Sequence, residues 1–359
     1  MPDSAVLGIA LLTLVPGELG GSESAARELL AALARGGTLP YRVYLPPVAP
    51  DAGEGLPSTV VEAYRRAHSI PGRLAAMSLA AARPGPLASQ LAETDAVHYP
   101  LTIRIPPVRV PSAITLHDVQ HLDLPQLFSR GERAFRSLAY HRSARSARIV
   151  IVPSAFVRDR AAERLGLDRG KIRVIHHGID HERFNPGADP PPREPFLLYP
   201  ARPWQHKNHT RLYEAFALLR RERPELRLVL TGGGHSGETP EGVEALGNVS
   251  LDELVSLYRR ASALVFPSLY EGFGLPPLEA MACGCPVASS AAASLPEVCG
   301  NAARYFSPDD PEELAAAVSD VLDAPSEWIE RGLARAAEFT WERAAADHET
   351  VYRELLGVA

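Results

Sequence analysis

The most informative part of the sequence is Ala263–Val298, which reads ALVFPSLYEGFGLPPLEAMACGCPVASSAAASLPEV. It begins with an apolar run, Ala263–Phe266, that a proline follows, which is typical of a buried parallel strand. A glycine-containing loop comes next. Pro276 and Pro277 then suit the first turn of a helix, because their missing N–H groups cost nothing there. The segment therefore predicts a strand, a loop and a helix of an α/β protein.

Two carboxylates mark this segment: Glu271 in the loop, and Glu279, which we place in the first turn of the helix. Gly272 and Gly274 let the loop backbone approach a ligand that a Cβ would block. Such strand-to-helix turns bind anions in α/β sheets, because free N–H groups and the helix dipole converge there. The pair therefore predicts a sugar-nucleotide site. Either acid alone is more typical of a solvent-facing loop or of a favourable helix-dipole contact.

The run EGFGLPPLEAMACGCPVASS resembles the signature of the retaining group 1 (family 4) glycosyltransferases. Glu271 and Glu279 match the Glu-x7-Glu motif of that family, and Met281–Val287 matches its Met-Ala-x-Gly-x-Pro-Val segment. The resemblance implies the GT-B fold, an α/β architecture of two Rossmann-like domains facing each other across a cleft. It also implies metal-independent transfer of a hexose from a nucleotide-diphospho-sugar, with retention of anomeric configuration and without any further cofactor.

The length and the amino-acid composition of the chain are compatible with this resemblance. A chain of 359 residues suits two domains, and a net charge of −6 gives no support to a nucleic-acid partner. The N-terminal apolar run is short and lacks a basic region before it, so we expect a cytoplasmic protein. The three cysteines, Cys283, Cys285 and Cys299, do not have a metal-site or redox spacing and are predicted to be reduced and structural.

A proline-rich connector, Gly187–Pro195, predicts the domain boundary. We expect residues 1–188 to form the N-terminal domain and residues 189–340 the C-terminal domain. The last predicted helix is Trp341–Leu356, and the resemblance implies that residues 341–359 cross back to the first domain. It further implies that the first domain mainly holds the acceptor and the second mainly holds the donor.

The first domain contains three candidate site residues. Gly20 and Gly21 lie between a predicted strand and a helix whose predicted N-cap is Ser22, so they could present N–H groups to phosphate. A Gly-Gly turn is more often only a tight connection. His117 follows the predicted strand Ser112–Leu116, where a neutral histidine could bind a sugar hydroxyl or could equally be structural. The resemblance implies that the glycines lie near the donor diphosphate and the acceptor, and that His117 lies near the donor sugar.

The second domain contains the remaining candidates. Arg202 and Lys207 follow the predicted strand Phe196–Ala201 and could neutralise a diphosphate, although two lone basic residues are ordinarily surface charge. The resemblance implies that both hold the donor diphosphate. It also implies that the carboxylates contact the donor sugar and its ribose, and that backbone N–H groups of the loop contact phosphate or sugar hydroxyls. These donor-site residues are Glu271, Gly272, Phe273, Gly274, Leu275 and Glu279.

The segment Arg130–Arg148 carries six arginines at positions that surround a helix. This pattern predicts a solvated basic helix. Contact with an anionic membrane is the less favoured alternative.

The segment HDVQHLDLP, His117–Pro125, and the basic helix after it look most like mannosyl- and deoxyhexosyltransferases. We therefore expect GDP-mannose ahead of a UDP or dTDP sugar, and a saccharide, lipid-linked or small-molecule acceptor. Two alternatives stay open: a sugar-nucleotide epimerase on the same fold, and an inactive nucleotide-binding scaffold. A dehydrogenase is less favoured, because no G-x-G-x-x-G occurs in the first strand–helix turn.

Overall fold

A computed structural model describes residues 5–235 and 237–358 of the chain. Residues 1–4 and 359, which the sequence assigns to the first domain, and residue 236, which it assigns to the second, lie outside this description. The chain divides into two compact units. The first extends to Gly178 and includes the segment that begins at Trp341, and the second is Ile179–Thr340.

The first unit is built on a sheet of seven parallel strands in the order β3-β2-β1-β4-β5-β6-β7. The order reverses between β1 and β4, as in doubly wound nucleotide-binding folds, where ligands bind at the carboxyl ends of the strands. The strands are β1 (Leu7–Ala10), β2 (Tyr41–Leu45), β3 (Ser58–Val60), β4 (Ala96–Tyr99), β5 (Ser112–Thr115), β6 (Ile149–Val152) and β7 (Ile172–Val174).

Helices cover this sheet because the parallel strands, which are mostly buried, need apolar partners on both faces. Helix α5 begins with a capping box formed by Ser129 and Glu132. The helices are α1 (Gly21–Gly36), α2 (Ile70–Ala82), α3 (Gly85–Leu91), α4 (Gln120–Asp123), α5 (Arg130–Ser146) and α6 (Ala155–Leu165).

The second unit is a sheet of six parallel strands in the order β10-β9-β8-β11-β12-β13. Its strands are β8 (Glu194–Pro200), β9 (Arg227–Thr231), β10 (Val243–Ala245), β11 (Ala261–Phe266), β12 (Val287–Ser290) and β13 (Ala303–Phe306). Its helices are α7 (His209–Glu222), α8 (Leu251–Arg260), α9 (Leu275–Ala282), α10 (Leu295–Cys299), α11 (Pro311–Asp323) and α12 (Pro325–Ala336). The order again reverses next to the first strand of the unit, so β8 and β11 are neighbours.

The division between the units lies ten residues before the boundary that the proline-rich connector led us to expect, at 178 rather than 188. The physical reason is the packing of the segment after Gly178. The Ile179 N–H donates to the Phe339 carbonyl at 3.1 Å, and Phe184 is buried in the core of the second unit. The segment before the prolines therefore already belongs to the second unit.

The last helix, α13 (Trp341–Leu356), belongs to the first unit and packs against α1. The Glu349 carboxylate accepts hydrogen bonds from the Thr38 N–H at 2.5 Å, the Leu39 N–H at 3.1 Å and the Tyr41 hydroxyl at 2.5 Å. Burial by itself raises the pKa of Glu349, but these hydrogen bonds outweigh it and hold the pKa below its ordinary value. This buried carboxylate therefore anchors α13 beside β2.

Four histidines lie close together in the first unit. Ring centroids are 5.9 Å apart for His98 and His348, and 6.0 Å apart for His117 and His177. The two nitrogens of the buried His98 ring are hydrogen-bonded to the Tyr352 hydroxyl at 2.8 Å and to the Thr115 hydroxyl at 2.9 Å. Burial lowers the pKa of all four histidines, and for His348 the value is about 4. The cluster is therefore neutral at neutral pH.

Two sequence predictions are wrong in detail. Helix α1 begins at Gly21 with Gly20, not Ser22, as its N-cap, because Gly20 adopts φ 54° and its carbonyl accepts from the Glu23 N–H. The sequence predicts a helix over Ala75–Ala82, whereas α2 begins five residues earlier at Ile70, because the Ser69 side chain accepts from the Gly72 N–H and caps it. The sequence patterns do not predict the short elements β3, β10, β12, β13, α3, α4 and α10.

The cysteines and the arginine-rich helix follow the predictions closely. Cys283, Cys285 and Cys299 are free and buried, and burial raises the pKa of each thiol to about 11 or 12. Five of the six arginines of Arg130–Arg148 are exposed, and only Arg136 is half-buried. Among the described residues, no helix combines the length and the apolar character that spanning a bilayer requires.

We expect acid to destabilise the first unit, because the unfolded chain takes up protons that the folded unit excludes. An unfolded histidine has a pKa of about 6.5, and folded His348 has a pKa of about 4. The contribution of the buried His348 to the free energy of unfolding is therefore fully present above about pH 6.5 and is lost as the pH falls toward about 4. His348→Gln should reduce the slope of this loss, whereas His68→Gln, at an exposed position, should not.

The slope can be measured by urea unfolding between about pH 7.5 and pH 4.5. Trp341 fluorescence reports on the first unit in a background where Trp204 and Trp328, both in the second unit, are replaced by Phe. Identical slopes in the wild type and in His348→Gln would show that the buried cluster does not control acid stability.

The Glu349 anchor gives a second prediction. Glu349→Ala should lower the free energy of unfolding of the first unit by about 2–4 kcal/mol, because it removes the acceptor of the Thr38 N–H, the Leu39 N–H and the Tyr41 hydroxyl. Glu342→Ala, on the same helix but with a 70% exposed side chain, should change it by less than about 1 kcal/mol. The same Trp341 fluorescence assay measures both, and equal small effects would contradict the anchoring role.

Candidate active site

The predicted site residues fall into two groups, one in each unit. Gly20, Gly21 and His117 lie in the first unit, at or just beyond the carboxyl ends of β1 and β5. The larger group lies in the second unit, in the loops that follow β8 and β11 and in helix α9. It consists of Arg202, Lys207, Glu271, Gly272, Phe273, Gly274, Leu275 and Glu279.

Lys207 and Glu271 form an ion pair in the second unit. The Lys207 Nζ lies 2.6 Å from the Glu271 Oε1, and the two side chains are only 14% and 15% exposed. Lys207 belongs to the loop after β8 and Glu271 to the loop after β11, so the contact depends on these strands being neighbours. The structure therefore brings together a cation and an acid that are 64 residues apart in sequence.

Hydrogen bonds hold the Lys207 loop in place. The Tyr199 hydroxyl donates to the Lys207 carbonyl at 2.7 Å. Asn208 adopts φ 60°, and its side-chain amide donates to the carbonyls of Pro267 at 3.1 Å and Pro308 at 2.7 Å. Asparagine tolerates this left-handed conformation better than most residues, so Asn208 can turn the chain into α7 directly after Lys207. The ammonium group is therefore supported by a well-tethered backbone.

The Glu271 loop is tied to the loop after β12. The Ser294 hydroxyl lies 2.9 Å from the Glu271 carbonyl and 2.8 Å from the Phe273 carbonyl, and can donate to either. Gly274 has φ 102°, and a Cβ at this position would lie 2.7 Å from the Leu295 Cδ2. Both the backbone conformation and the available space therefore require glycine at position 274.

Gly274 is also the N-cap of α9, so the positive end of the helix dipole lies beside Glu271. The first backbone N–H groups of a helix have no acceptor within the helix. Pro276 and Pro277 carry no N–H, which leaves the N–H groups of Gly274 and Leu275 as donors at this end of α9. This local geometry suits an anion or a hydroxyl group.

Glu279 lies on the second turn of α9, not on the first turn as predicted, because the helix already begins at Leu275. The Tyr258 hydroxyl donates to the Glu279 Oε2 at 2.9 Å. Burial, followed by the Glu279 charge, raises the pKa of Tyr258 well above its ordinary value, so the phenol keeps its proton and remains a donor. Tyr258 thus orients the Glu279 carboxylate.

Arg202 lies beside the glycine turn that follows β9. A Cβ on Gly232, which has φ 99°, would lie 3.1 Å from the Arg202 backbone nitrogen. The next residue, Gly233, donates its N–H to the Asn248 side-chain carbonyl at 2.7 Å. The Arg202 guanidinium carbon lies 5.8 Å from the centre of the Trp204 ring, which is 49% exposed. A basic group and an exposed aromatic ring thus border the same edge of the sheet as Lys207.

In the first unit, His117 is neutral and its tautomer is defined. The Nε2 lies 2.8 Å from the Pro100 carbonyl, which can only accept, so Nε2 carries the proton and Nδ1 is an acceptor. Burial lowers the pKa of His117, although the Pro100 carbonyl and the Asp118 charge oppose this effect. Gly20 and Gly21 are exposed, and a Cβ at either position would meet no atom within 4 Å.

Tyr258 and Ser294, which orient Glu279 and the Glu271 loop, are not indicated by any motif of the sequence. Neither has a local signal, since each reaches its partner from a distant segment. Lys207 has a further signal in the sequence. The chain has 37 lysines and arginines, and only Lys171 and Lys207 are lysines, so an ammonium group at position 207 departs from the general preference for arginine.

Comparison with known proteins agrees with this architecture. Residues 180–335 match the family model described as glycosyl transferases group 1, and residues 19–183 match the model of glycosyltransferase family 4. O-antigen chain mannosyltransferase B of Escherichia coli is 30% identical over 286 residues, which cover 69% of this chain and 72% of that protein.

Solved structures show the same fold at lower identity. Sucrose-phosphate synthase from Thermosynechococcus elongatus has a TM-score of 0.76 at 22% identity and covers 98% of this chain and 99% of its own. Anabaena Alr3699/HepE in complex with UDP-glucose has a TM-score of 0.70 at 17% identity and covers 97% of this chain and 99% of its own. The two doubly wound units therefore have the GT-B fold that the sequence predicts, and the chain belongs to the group 1 glycosyltransferases.

Proposed function

We propose that this protein is a retaining, metal-independent glycosyltransferase that moves a hexose from a nucleotide-diphospho-sugar to a hydroxyl group of a saccharide or small-molecule acceptor. The observation that carries the proposal is the ion pair of Lys207 and Glu271 beside the N-terminus of α9. A cation for the diphosphate, an acid for the sugar and unused N–H groups lie together at one edge of the sheet.

The proposed role of the positive charges is to stabilise the diphosphate as it leaves. Charge develops on the phosphate oxygens when the bond to the sugar breaks, and prearranged positive groups stabilise it. Arg202, Lys207 and the N-terminal end of α9 supply such charge from the chain itself. These residues would therefore do the work that a divalent cation does in other transferases.

The proposed role of the carboxylates is to orient the donor. Glu271 would accept hydrogen bonds from sugar hydroxyls, and Lys207 would reach the phosphate linked to that sugar. Glu279, held by Tyr258, would bind the ribose hydroxyls. The N–H groups of Gly274 and Leu275 would contact phosphate or sugar hydroxyls. Nδ1 of the neutral His117 in the first unit is suited to accept a hydrogen bond from a hydroxyl group of the sugar.

In the proposed transfer step, the acceptor oxygen forms a bond to the anomeric carbon on the face from which the diphosphate departs. The anomeric C–O bond breaks, its electron pair remains on the leaving phosphate, and that phosphate accepts the proton of the acceptor hydroxyl. The configuration is retained, and no protein nucleophile takes part.

We infer that the first donor to test is GDP-mannose. The relative from Escherichia coli is a mannosyltransferase. The segment His117–Pro125 and the basic helix after it resemble mannosyl- and deoxyhexosyltransferases. The structural neighbour from Anabaena was solved with UDP-glucose, so UDP-glucose is the rival donor. Both donors have the diphosphate and hexose that the proposed site requires.

The first test is a thermal-shift panel of nucleoside diphosphates and their hexose derivatives, performed in EDTA. One nucleotide sugar should raise the melting temperature, because a ligand that binds only the folded state stabilises it. Glu279→Gln should weaken the binding of this ligand by about 10–100-fold, or about 1.4–2.7 kcal/mol, since an amide has one fewer acceptor oxygen for the ribose hydroxyls. Glu312→Gln, an exposed residue on α11, should bind the ligand like the wild type.

Product analysis completes this test and separates the alternatives. Turnover in EDTA with an anomeric product of unchanged configuration by NMR is the expected outcome. Release of an epimerised sugar would favour the epimerase. No shift with any nucleotide would favour the scaffold. Loss of activity on chelation, restored by a divalent cation, would overturn the metal-independent step.

Lys207 gives the sharpest mutational prediction. Lys207→Ala should lower kcat/KM by at least about 100-fold, or about 2.7 kcal/mol, because the leaving diphosphate loses its cation and Glu271 loses its partner. The control is Lys171→Ala, which removes the other lysine, located in the first unit. Steady-state rates of both variants measure the effect, and unchanged turnover in Lys207→Ala would refute the phosphate assignment.

A further inference from the structure

Three buried side chains of the first unit contain polar atoms without a hydrogen-bond partner. These atoms are the Tyr64 hydroxyl, the Gln120 Nε2 and both ring nitrogens of His121. The side chains belong to residues that are 3%, 7% and 1% exposed. Leaving a buried polar group unpaired destabilises the folded chain, so a cluster of such groups favours a ligand or ordered water bound among them.

Two guanidinium groups belong to the same cluster. The Arg136 guanidinium carbon lies 5.8 Å from the centre of the Tyr140 ring, and the His121 ring packs edge-on against that same ring at 5.4 Å. Arg73 interacts electrostatically with Tyr64, Tyr140 and Arg136. Arg73 and Arg136 keep part of their surface exposed, whereas Tyr64 and His121 are covered. A ligand would therefore meet the guanidinium groups first.

The positive charge of this cluster is not balanced by an ion pair. Among the described residues, no carboxylate forms a salt bridge with Arg73 or Arg136, and the Arg73 Nε donates to the Thr13 carbonyl at 2.8 Å. Two acids act electrostatically on His121. The Asp118 Oδ1 accepts from the Gln120 N–H at 2.9 Å, and Asp123 forms ion pairs with Arg160 and Arg164. Burial lowers the pKa of Arg73, and the charge of Arg136 lowers it further. An added anion would remove this repulsion.

The cluster lies at the carboxyl edge of the first sheet, where α/β folds bind their ligands. Thr13 follows β1, Tyr64 follows β3, and Gln120 follows β5 three residues after His117. Each group of the cluster can donate a hydrogen bond: two guanidiniums, a hydroxyl, an amide and an imidazole. Donors carried by four segments, the loop after β3 and helices α2, α4 and α5, suit a tetrahedral phosphoryl group better than a planar carboxylate, which has only two oxygens.

We propose that Arg73, Arg136, Tyr64, Gln120 and His121 form a subsite for a phosphoryl group carried by the acceptor. The subsite itself stands on the observations above, and its assignment to the acceptor rests on the proposed transferase function. This assignment restricts the acceptor to a phosphorylated saccharide or a phosphate-linked glycan. Arg73 and Arg136 bind the oxygens, and the buried donors provide the remaining hydrogen bonds.

The test uses three probes that differ only at C6 of one ring: glucose 6-phosphate, glucuronate and glucose. Calorimetric titration of the full chain should show that glucose 6-phosphate binds at least about tenfold more tightly than either other probe, because a phosphoryl group carries more negative charge and more acceptor oxygens than a carboxylate or a hydroxyl. Arg136→Gln should remove this preference. Arg133→Gln, the same change at an exposed position of α5, should keep it.

Tyr64→Phe gives an independent readout. Because the hydroxyl has no partner in the free protein, its removal should leave the melting temperature unchanged or raise it. The same variant should bind glucose 6-phosphate severalfold more weakly. A hydroxyl that serves only the packing of the unit would lower the melting temperature without changing the affinity.

The proposal is overturned if glucose 6-phosphate does not bind, if glucose binds equally well, or if Arg136→Gln binds like the wild type. A preference for glucuronate would also overturn it, in favour of a carboxylate subsite. Failure of the proposed function has a different signature, because nucleotide shifts and donor turnover are measured without any of these probes. Suppose that glucose 6-phosphate binds in a way that depends on Arg136, but no nucleotide raises the melting temperature. That result would support the phosphoryl subsite and contradict the transferase function.

Discussion

The contact between the Lys207 ammonium and the Glu271 carboxylate is the interaction on which the second unit's site depends. At 2.6 Å and with little exposure, it holds two loops together at the ends of neighbouring strands. A pair this buried is favourable only when the surrounding groups are well satisfied. In the free protein each charge neutralises the other. A diphospho-sugar could use both, with its phosphates near the cation and its hydroxyls near the acid.

This contact is possible because the backbone around it is tightly held. Asn208 turns the chain directly after Lys207 and bonds to two carbonyls, and the Ser294 hydroxyl holds the carbonyls on either side of Gly272. Gly274 then fits against Leu295 with no room for a Cβ. Catalytic groups act best when their supporting structure is formed before the ligand arrives. The proposed donor site of the second unit has a backbone that is held in this way before any ligand binds.

The first unit uses its polar groups in two different ways. Its histidines His98 and His348 are buried and neutral, and each has a hydrogen-bond partner inside the unit. They support the packing of the sheet against α13. Arg73, Arg136 and His121 lie at the carboxyl edge instead. Among the described residues, no carboxylate forms an ion pair with either arginine, and neither ring nitrogen of His121 has a hydrogen-bond partner. Satisfied polar groups are typical of structure, and unsatisfied ones point to a ligand.

The sequence by itself determined the α/β class, the order of most strands and helices, and the family, because hydrophobic runs, prolines, glycines and the Glu271–Glu279 spacing are local patterns. It also identified Arg202 and Lys207 as site candidates. Only the tertiary structure decided which side chains support the candidate residues of each unit. In the second unit these are Tyr258 for Glu279 and Ser294 for the Glu271 loop, and in the first unit Tyr64 and Arg73 join His121 and Arg136. These partners lie far apart along the chain, and the order of strands in each sheet brings them together, which no local pattern encodes.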